Sequence, residues 1–243
     1  MPLRLCSARA TVGEDERDAR ERARRTLVAA ISHDLRTPLA SLRLLTDAIR
    51  DGVVDHGALE QMDFHVRWLE SLVDDLFELS RIEAGDVDWP MEPVALRELV
   101  EETVEGMRGQ AAAAQLRLAC RVREATPPVR ASPEKLQRVL FNLIDNALRH
   151  SPAGGTVIVE ATPGASPGEV AVWVADSGGG IPEEDRDRVF EPFFRGGAPP
   201  ARPGGGAGLG LYICRAIVEA HGGQIGIVGT QTGTQVRILL PAA

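Results

Sequence analysis

Two apolar stripes, each stepping alternately by three and four residues, constrain this chain first. Val28, Ile31, Leu35, Pro38, Leu42, Leu45 and Ile49 form one. Leu59, Met62, Val66, Leu69, Val73 and Leu76 form the other, which ends near Ile82, before Ala84-Gly85. Such spacing is the seam of a helical bundle. Asp51-Gly52 breaks the first stripe, so 51–57 reads as the loop of a helical hairpin. One hairpin cannot bury both stripes, but two copies can, as a four-helix bundle, and this predicts a homodimer. The competing arrangement packs the hairpin on its own C-terminal half. Upstream, 1–25 reads as a flexible tail and then a charged helix of little but alanine and ionisable residues. The spacing gives one domain over 26–85 and a linker over 86–93.

From residue 94 onward the pattern becomes mixed. Val94–Ala114 reads as helix and Leu116–Val122 as strand, and Thr126-Pro127-Pro128 is a break. Ser132-Pro133 suits a helix start, with serine able to cap and proline at the first helical position, and that helix runs to His150. Thr156–Ala161 and Val170–Ala175 are β-rich and read as a hairpin. Asp176–Gly206 is long and rich in Gly and Pro, as functional loops often are. Leu209–His221 is a helix, and Gln224–Val228 and Thr234–Leu240 a last strand pair. A strict βαβ rhythm is missing, so 94–243 reads as an α/β sandwich on a mixed sheet, and the whole chain as α+β.

Composition excludes some roles. A net charge of −8 argues against a nucleic-acid partner, which needs a basic face. Cys6, Cys120 and Cys214 are scattered without metal-ligand spacing, which fits a reduced, cytoplasmic setting. With no apolar run long enough to span a bilayer, this chain is expected to carry no membrane segment. Its start is too polar for a signal peptide. A membrane sensor would lie upstream in a longer protein and tether this part.

Ser32-His33-Asp34-Leu35-Arg36-Thr37-Pro38-Leu39 carries the first chemistry. His33 is two residues past the seam position Ile31, so it faces water or a partner domain. A free imidazole titrates near ~6.5, leaving a neutral nucleophile at neutral pH. Attack on phosphorus by one ring nitrogen charges the ring, and a carboxylate such as Asp34 can take the proton from the other nitrogen. Thr37 lies one turn on, where its hydroxyl suits a water that hydrolyses phosphohistidine. Pro38 removes an amide from the helix ladder, so a bend is expected there.

A second group lies on Phe141–His150. Leu136, Leu140, Leu143 and Ala147 make its buried stripe, while Asn142, Asn146, Arg149 and His150 cluster on another side. Carboxamide oxygens suit Mg²⁺, which is often held together with substrate phosphates, and Arg149 can offset phosphate charge. Asp176 ends a strand and can accept a hydrogen bond from an amino group such as that of adenine. The glycines after it allow the backbone close to a flat base. Amides at the start of the 209–221 helix suit an anionic phosphate.

These segments resemble the motifs of sensor histidine kinases, in the family's order. Ser32–Ser41 resembles the H-box, Phe141–His150 the N-box, Asp176–Pro182 the G1 box, Phe190–Arg195 the F-box and Gly204–Leu211 the G2 box, with Gly233-Thr234 matching the last pair of the pattern. The resemblance covers Thr26–Pro241. It departs from the family at Gly179, and at Ala207, where a hydroxyl residue is often found and one phosphate contact is lost. It implies a dimeric four-helix bundle followed by a GHKL-type ATP-binding domain. His33 is then the phosphoacceptor, Asp34 its acidic neighbour, and Thr37 the residue tied to phosphatase activity. Asn146 would hold Mg²⁺. ATP would be bound by Asn142, Asn146, Arg149, His150, Asp176, Gly178, Gly180, Ile181, Arg195, Gly206, Gly208, Leu209, Gly210, Leu211 and Thr234. Arg149 would also serve the transfer itself. The implied function is ATP-dependent autophosphorylation of His33, transfer to an aspartate on a response-regulator receiver domain in two-component signalling, and phosphatase activity toward that regulator.

Two rivals share the motifs. A degenerate kinase would be a dimeric scaffold, against which His33, Asn146 and Asp176 all stand intact. A GHKL-type ATPase would use a glutamate where Asn142 stands. The Gly-Lys-Ser/Thr phosphate loop is absent, which excludes a P-loop mechanism.

Overall fold

The computed structural model describes residues 35–36, 38–52, 57–84, 88–196, 208–229 and 232–243. His33, Asp34, Thr37 and Gly206, the bend expected at Pro38, and the 1–25 tail lie outside the described residues. The chain divides into two compact units, with the boundary between Leu72 and Val73, inside a helix.

In the first unit, helix α1 covers 38–50 and ends at Asp51-Gly52, where Gly52 takes φ +73 and donates to the Ile49 carbonyl. Helix α2, Gly57–Glu83, carries the second stripe. Within a single chain that stripe stays open, with Leu59 62% and Val66 43% exposed.

The second unit begins with the last turns of α2. It continues through β1 (Glu92–Val94), α3 (Leu96–Ala113), β2 (Arg117–Val122), β3 (Val129–Ala131), α4 (Pro133–His150), β4 (Thr156–Pro163), β5 (Glu169–Ala175), α5 (Gly210–Ala220), β6 (Gln224–Val228) and β7 (Gln235–Pro241). The expected mixed sheet is present: five strands in the order β2-β4-β5-β7-β6, with only the β2–β4 pair parallel. Register places Cys120, Val159, Val174, Val236 and Ile227 in one row across it, and Val122, Ala161, Val172, Ile238 and Ile225 in another on the same face. Period-two alternation puts these residues on one side of the sheet, where α3, α4 and α5 form the second layer. The opposite side carries Arg121, Glu160, Trp173 and Arg237 in one row, with the Arg237 guanidinium 5.6 Å from the Trp173 ring centroid. An α/β sandwich, with the helices on one side of the sheet, follows from this alternation.

Two features differ from the sequence reading. Glu92 and Pro93 fall in the expected linker, yet they form β1 and pair with β3 (Glu92 with Ala131, Pro93 with Arg130). Strands of three residues, one holding a proline, leave no periodicity to read. Ser132 stands at the N-cap of α4, but its hydroxyl makes no capping bond. Its amide instead donates to His221 Nε2 at 3.0 Å.

That bond belongs to a buried cluster. Nε2 accepts, so the His221 proton sits on Nδ1 and is donated to the Ile217 carbonyl at 2.7 Å. The ring stacks on Trp89, with centroids 5.3 Å apart, and Lys135 Nζ lies 5.7 Å from the Trp89 centroid. Lys135 also pairs with buried Glu78 at 2.8 Å, while Arg138 reaches Asp75 at 2.7 Å. The last turns of α2 and the stretch holding Trp89 are thus fastened to α4 and α5. Burial raises the Asp75 carboxyl above the usual range, against the pull of Arg138.

Burial holds the His221 imidazole below its ordinary pKa. The unfolded chain therefore binds a proton that the native state resists, and stability is lost as pH falls below ~6.5 toward the folded value. We expect the urea unfolding midpoint of the parent to drop between pH 7.5 and 5. In His221→Gln the midpoint at pH 7.5 should be lower and its decline with acid shallower.

Candidate nucleotide site

Helix α4 sets the site by its two faces. Leu136, Leu140, Leu143 and Ala147 are buried, with Val139, Ile144 and Leu148 beside them. That packing leaves Asn142, Asn146 and Arg149 half-buried on the other side, with His150 exposed at the end. Arg149 and His150 occupy the last turn, where positive charge suits the helix dipole.

One end of this polar row meets α5. A Cβ on Gly210 would lie 4.0 Å from the Asn142 amide. Asn142 Nδ2 is buried and outside hydrogen-bond geometry, although the side chain lies against Cys214. Burial pushes the Cys214 thiol up to about 12, so it stays protonated, and Sγ donates to the Val139 carbonyl at 3.8 Å.

The other end meets the glycine loop after β5. The Asp176 amide donates to the Thr234 carbonyl at 2.9 Å. Its Oδ1 accepts from the amides of Thr234 (3.1 Å) and Gly178 (2.7 Å). Both bonds fall on one oxygen, so Oδ2 keeps its capacity to accept from a ligand. A Cβ on Gly178 would sit 2.7 Å from the His150 carbonyl oxygen, so the loop touches the end of α4 through bare backbone. Gly180 and Gly233 take φ +77 and +76, and any Cβ at Gly233 would collide with the Asp176 carbonyl. Ser177 ties the loop to β4, accepting from the Thr156 amide and donating to the Thr156 carbonyl.

A cavity of about 530 Å³ opens beside this loop, lined by Gly178, Gly180, Ile181 and Thr234 of the expected set, and also by Arg186 and Ile227. Arg186 escaped the sequence reading. Its guanidinium lies across Gly229, where a Cβ would come within 2.9 Å of Nη1. A lone arginine in a loop gives no sequence signal of a glycine 43 residues later.

Phe193 and Gly208 flank the remaining segment. Phe193 takes φ 63, unusual for an aromatic residue, and donates to the Gly208 carbonyl at 3.0 Å. A Cβ on Gly208 would lie 2.8 Å from Phe193 Cα. Phe190 is buried, and Phe194 stacks under Arg188 at 4.6 Å. Arg195 is exposed. Leu209 is fully buried, so only its backbone can face a ligand, and Leu211 is half-buried.

The residues present fit a nucleotide with its cation. Asp176 Oδ2 can accept from an amino group, and the Gly178 cradle admits no Cβ. Among the described residues no group of three or more His, Cys, Asp or Glu could hold a metal. The Asn146 carboxamide is the kind of oxygen donor that joins waters and phosphate oxygens around Mg²⁺.

Mixed sheet, helix layer and glycine loop together define a GHKL-type ATP-binding domain after a helical region. Residues 131–243 match the family model for histidine kinase-, DNA gyrase B- and HSP90-like ATPases, and residues 23–85 match the His kinase A phospho-acceptor domain. The signal transduction histidine-protein kinase BaeS of Escherichia coli (strain K12) is 36% identical over 207 residues, covering 84% of this chain and 44% of that protein. The Acinetobacter baumannii histidine kinase AdeS superposes with a TM-score of 0.72 at 27% identity, covering 86% of this chain and 98% of the other. Full-length ShkA in complex with AMPPNP superposes with a TM-score of 0.67 at 28% identity, covering 88% of this chain and 45% of the other. The chain belongs to the histidine kinase family. It spans about half the length of the curated relatives it matches.

Replacing glycines should separate the tight approach from open loop. Gly178→Ala puts a methyl against the His150 carbonyl and should destabilise by about 1–3 kcal/mol. Gly179→Ala has open space and should stay within about 0.5 kcal/mol of the parent. Urea midpoints of the two variants check this.

Proposed function

We propose that this chain is the catalytic core of a sensor histidine kinase that phosphorylates His33 from ATP and passes the phosphoryl group to an aspartate on a response-regulator receiver domain. In this reading 26–85 dimerises and carries the phosphoacceptor, and 94–243, with β1 and Trp89 packed onto it, binds ATP. The observation that carries it is the Asp176 arrangement: two backbone amides on Oδ1, Oδ2 left to accept, and a bare-backbone loop against the end of α4. The apolar stripe left open along α2, at Leu59 and Val66, supports a homodimer.

The chemistry follows from the residues. Asp176 accepts from the exocyclic amino group of adenine. Arg149 meets the phosphates, and Asn142, Asn146 and the amides opening α5 complete their surroundings. Mg²⁺, held through Asn146, neutralises phosphate charge when bound. One ring nitrogen of His33 forms the bond to the γ-phosphorus as the bond to the β–γ bridging oxygen breaks, and ADP leaves with that electron pair. Asp34 takes the proton from the other ring nitrogen. Placement and charge neutralisation carry most of such a step. Thr37 orients the water that makes the phosphatase reaction. None of the described helices is long and apolar enough to cross a membrane. We assign this part to the cytoplasm, tethered where a longer protein supplies a sensor.

Incubating the purified chain with γ-labelled ATP and Mg²⁺ should give acid-labile label on protein, lost in His33→Gln. Asn146→Asp should weaken nucleotide binding about tenfold or more, on the order of 1.4 kcal/mol. Acid-stable label, or label kept in His33→Gln, overturns the assignment. Nucleotide binding without any labelling favours the scaffold reading. Fast steady-state hydrolysis without phosphoprotein favours the ATPase reading.

A further inference from the structure

Where α3 and α4 meet, Gln110 Nε2 donates to Asp145 Oδ1 at 2.7 Å. The other oxygen of the same carboxylate, Oδ2, lies 2.7 Å from Nε of Arg149, one turn further along α4. Each carboxylate oxygen thus faces one partner, and the three side chains form a continuous line from α3 to the polar row of α4. The Asp145 side chain is only 19% exposed and that of Arg149 34%, so solvent screens this pair less than an open surface pair. Neither Gln110 nor Asp145 belongs to the residues assigned above to nucleotide or cation.

We propose that Gln110 and Asp145 are positioning residues that hold the Arg149 guanidinium ready for the phosphates of the nucleotide. The proposal rests on the ATP-binding reading above. Three physical points carry it. Arginine has among the largest rotamer entropies of any side chain, and ordering it before the ligand arrives removes that loss from binding. The ion pair engages Nε, the nitrogen nearest the chain, so the four N–H donors of Nη1 and Nη2 are not spent on Asp145. An Asp–Arg pair one turn apart is weak alone because the carboxylate can swing. Gln110 fixes the carboxylate from a second helix, 35 residues earlier in sequence. Its neutrality also matters, since a lysine at 110 would compete with Arg149 for Asp145 and a glutamate would repel it.

The test is a double-mutant cycle on the full chain, with Mg²⁺–AMPPNP affinity measured by calorimetry. Gln110→Leu should weaken binding about threefold to tenfold, the equivalent of ordering one long side chain, with the unfolding midpoint unchanged. KM for ATP in His33 labelling should rise by the same factor, with the rate at saturating ATP within about twofold of the parent. In an Arg149→Ala background, Gln110→Leu should add nothing further. A second readout needs no nucleotide: the Arg149 Nε–Hε resonance, assigned by its loss in Arg149→Ala, should shift and broaden in Gln110→Leu. Parent-like affinity in Gln110→Leu, or an undiminished effect in the Arg149→Ala background, overturns the proposal. Should the parent itself not bind AMPPNP, the nucleotide reading fails instead, and the Nε–Hε resonance still decides whether Gln110 orders Arg149.

Discussion

Helix α4 can bury only one of its faces, and that constraint organises the rest of the ATP-binding unit. Its leucines, valine and isoleucine occupy the layer between sheet and helices, so the helix cannot roll about its axis without exposing them. A fixed roll angle fixes the polar row. Asn142 lies beside Gly210 at the start of α5, and the carbonyl of His150 lies beside Gly178 of the loop after β5. The row therefore runs from the start of α5 to the glycine loop after β5. Packing energy, distributed over many apolar contacts, does the aligning, and the functional groups need contribute little to stability.

The sheet supplies the complementary half. The β5–β7 ladder ends at Ala175 opposite Gln235, and Asp176 with Thr234 extends it one step using main chain and one carboxylate oxygen. A residue that closes a ladder and keeps one oxygen spare is both structural and chemical. Glycine is required around it because backbone segments touch there, and side chains would separate them.

Much of this was legible in the sequence because it rests on periodicity and local turn chemistry. The two-faced α4, the β4–β5 hairpin, the β6–β7 pair and the α5 boundaries follow from period 3.6, period 2 and glycine placement, and the order of the motifs pointed to the family. Other features carry no such signal. β1 and β3 are too short to show alternation. Glu78 with Lys135 and Gln110 with Asp145 join residues far apart in the chain, and nothing local marks either pair. Ser132 does stand at the expected N-cap, but a serine before a proline looks the same whether its hydroxyl or its amide is used. Here His221, 89 residues on, claims the amide. Likewise nothing in the spacing over 86–93 shows that Trp89 packs on that histidine.

Phe193 and Gly208 have one more consequence. Their backbones meet, so two points fifteen residues apart in the chain are held together by the fold. A connection anchored in this way is, to the rest of the fold, a loop already closed. Doubling the length of such a loop adds only about 0.6 kcal/mol of closure entropy. Lengthening or shortening the chain between these two residues should therefore cost the sandwich beneath little.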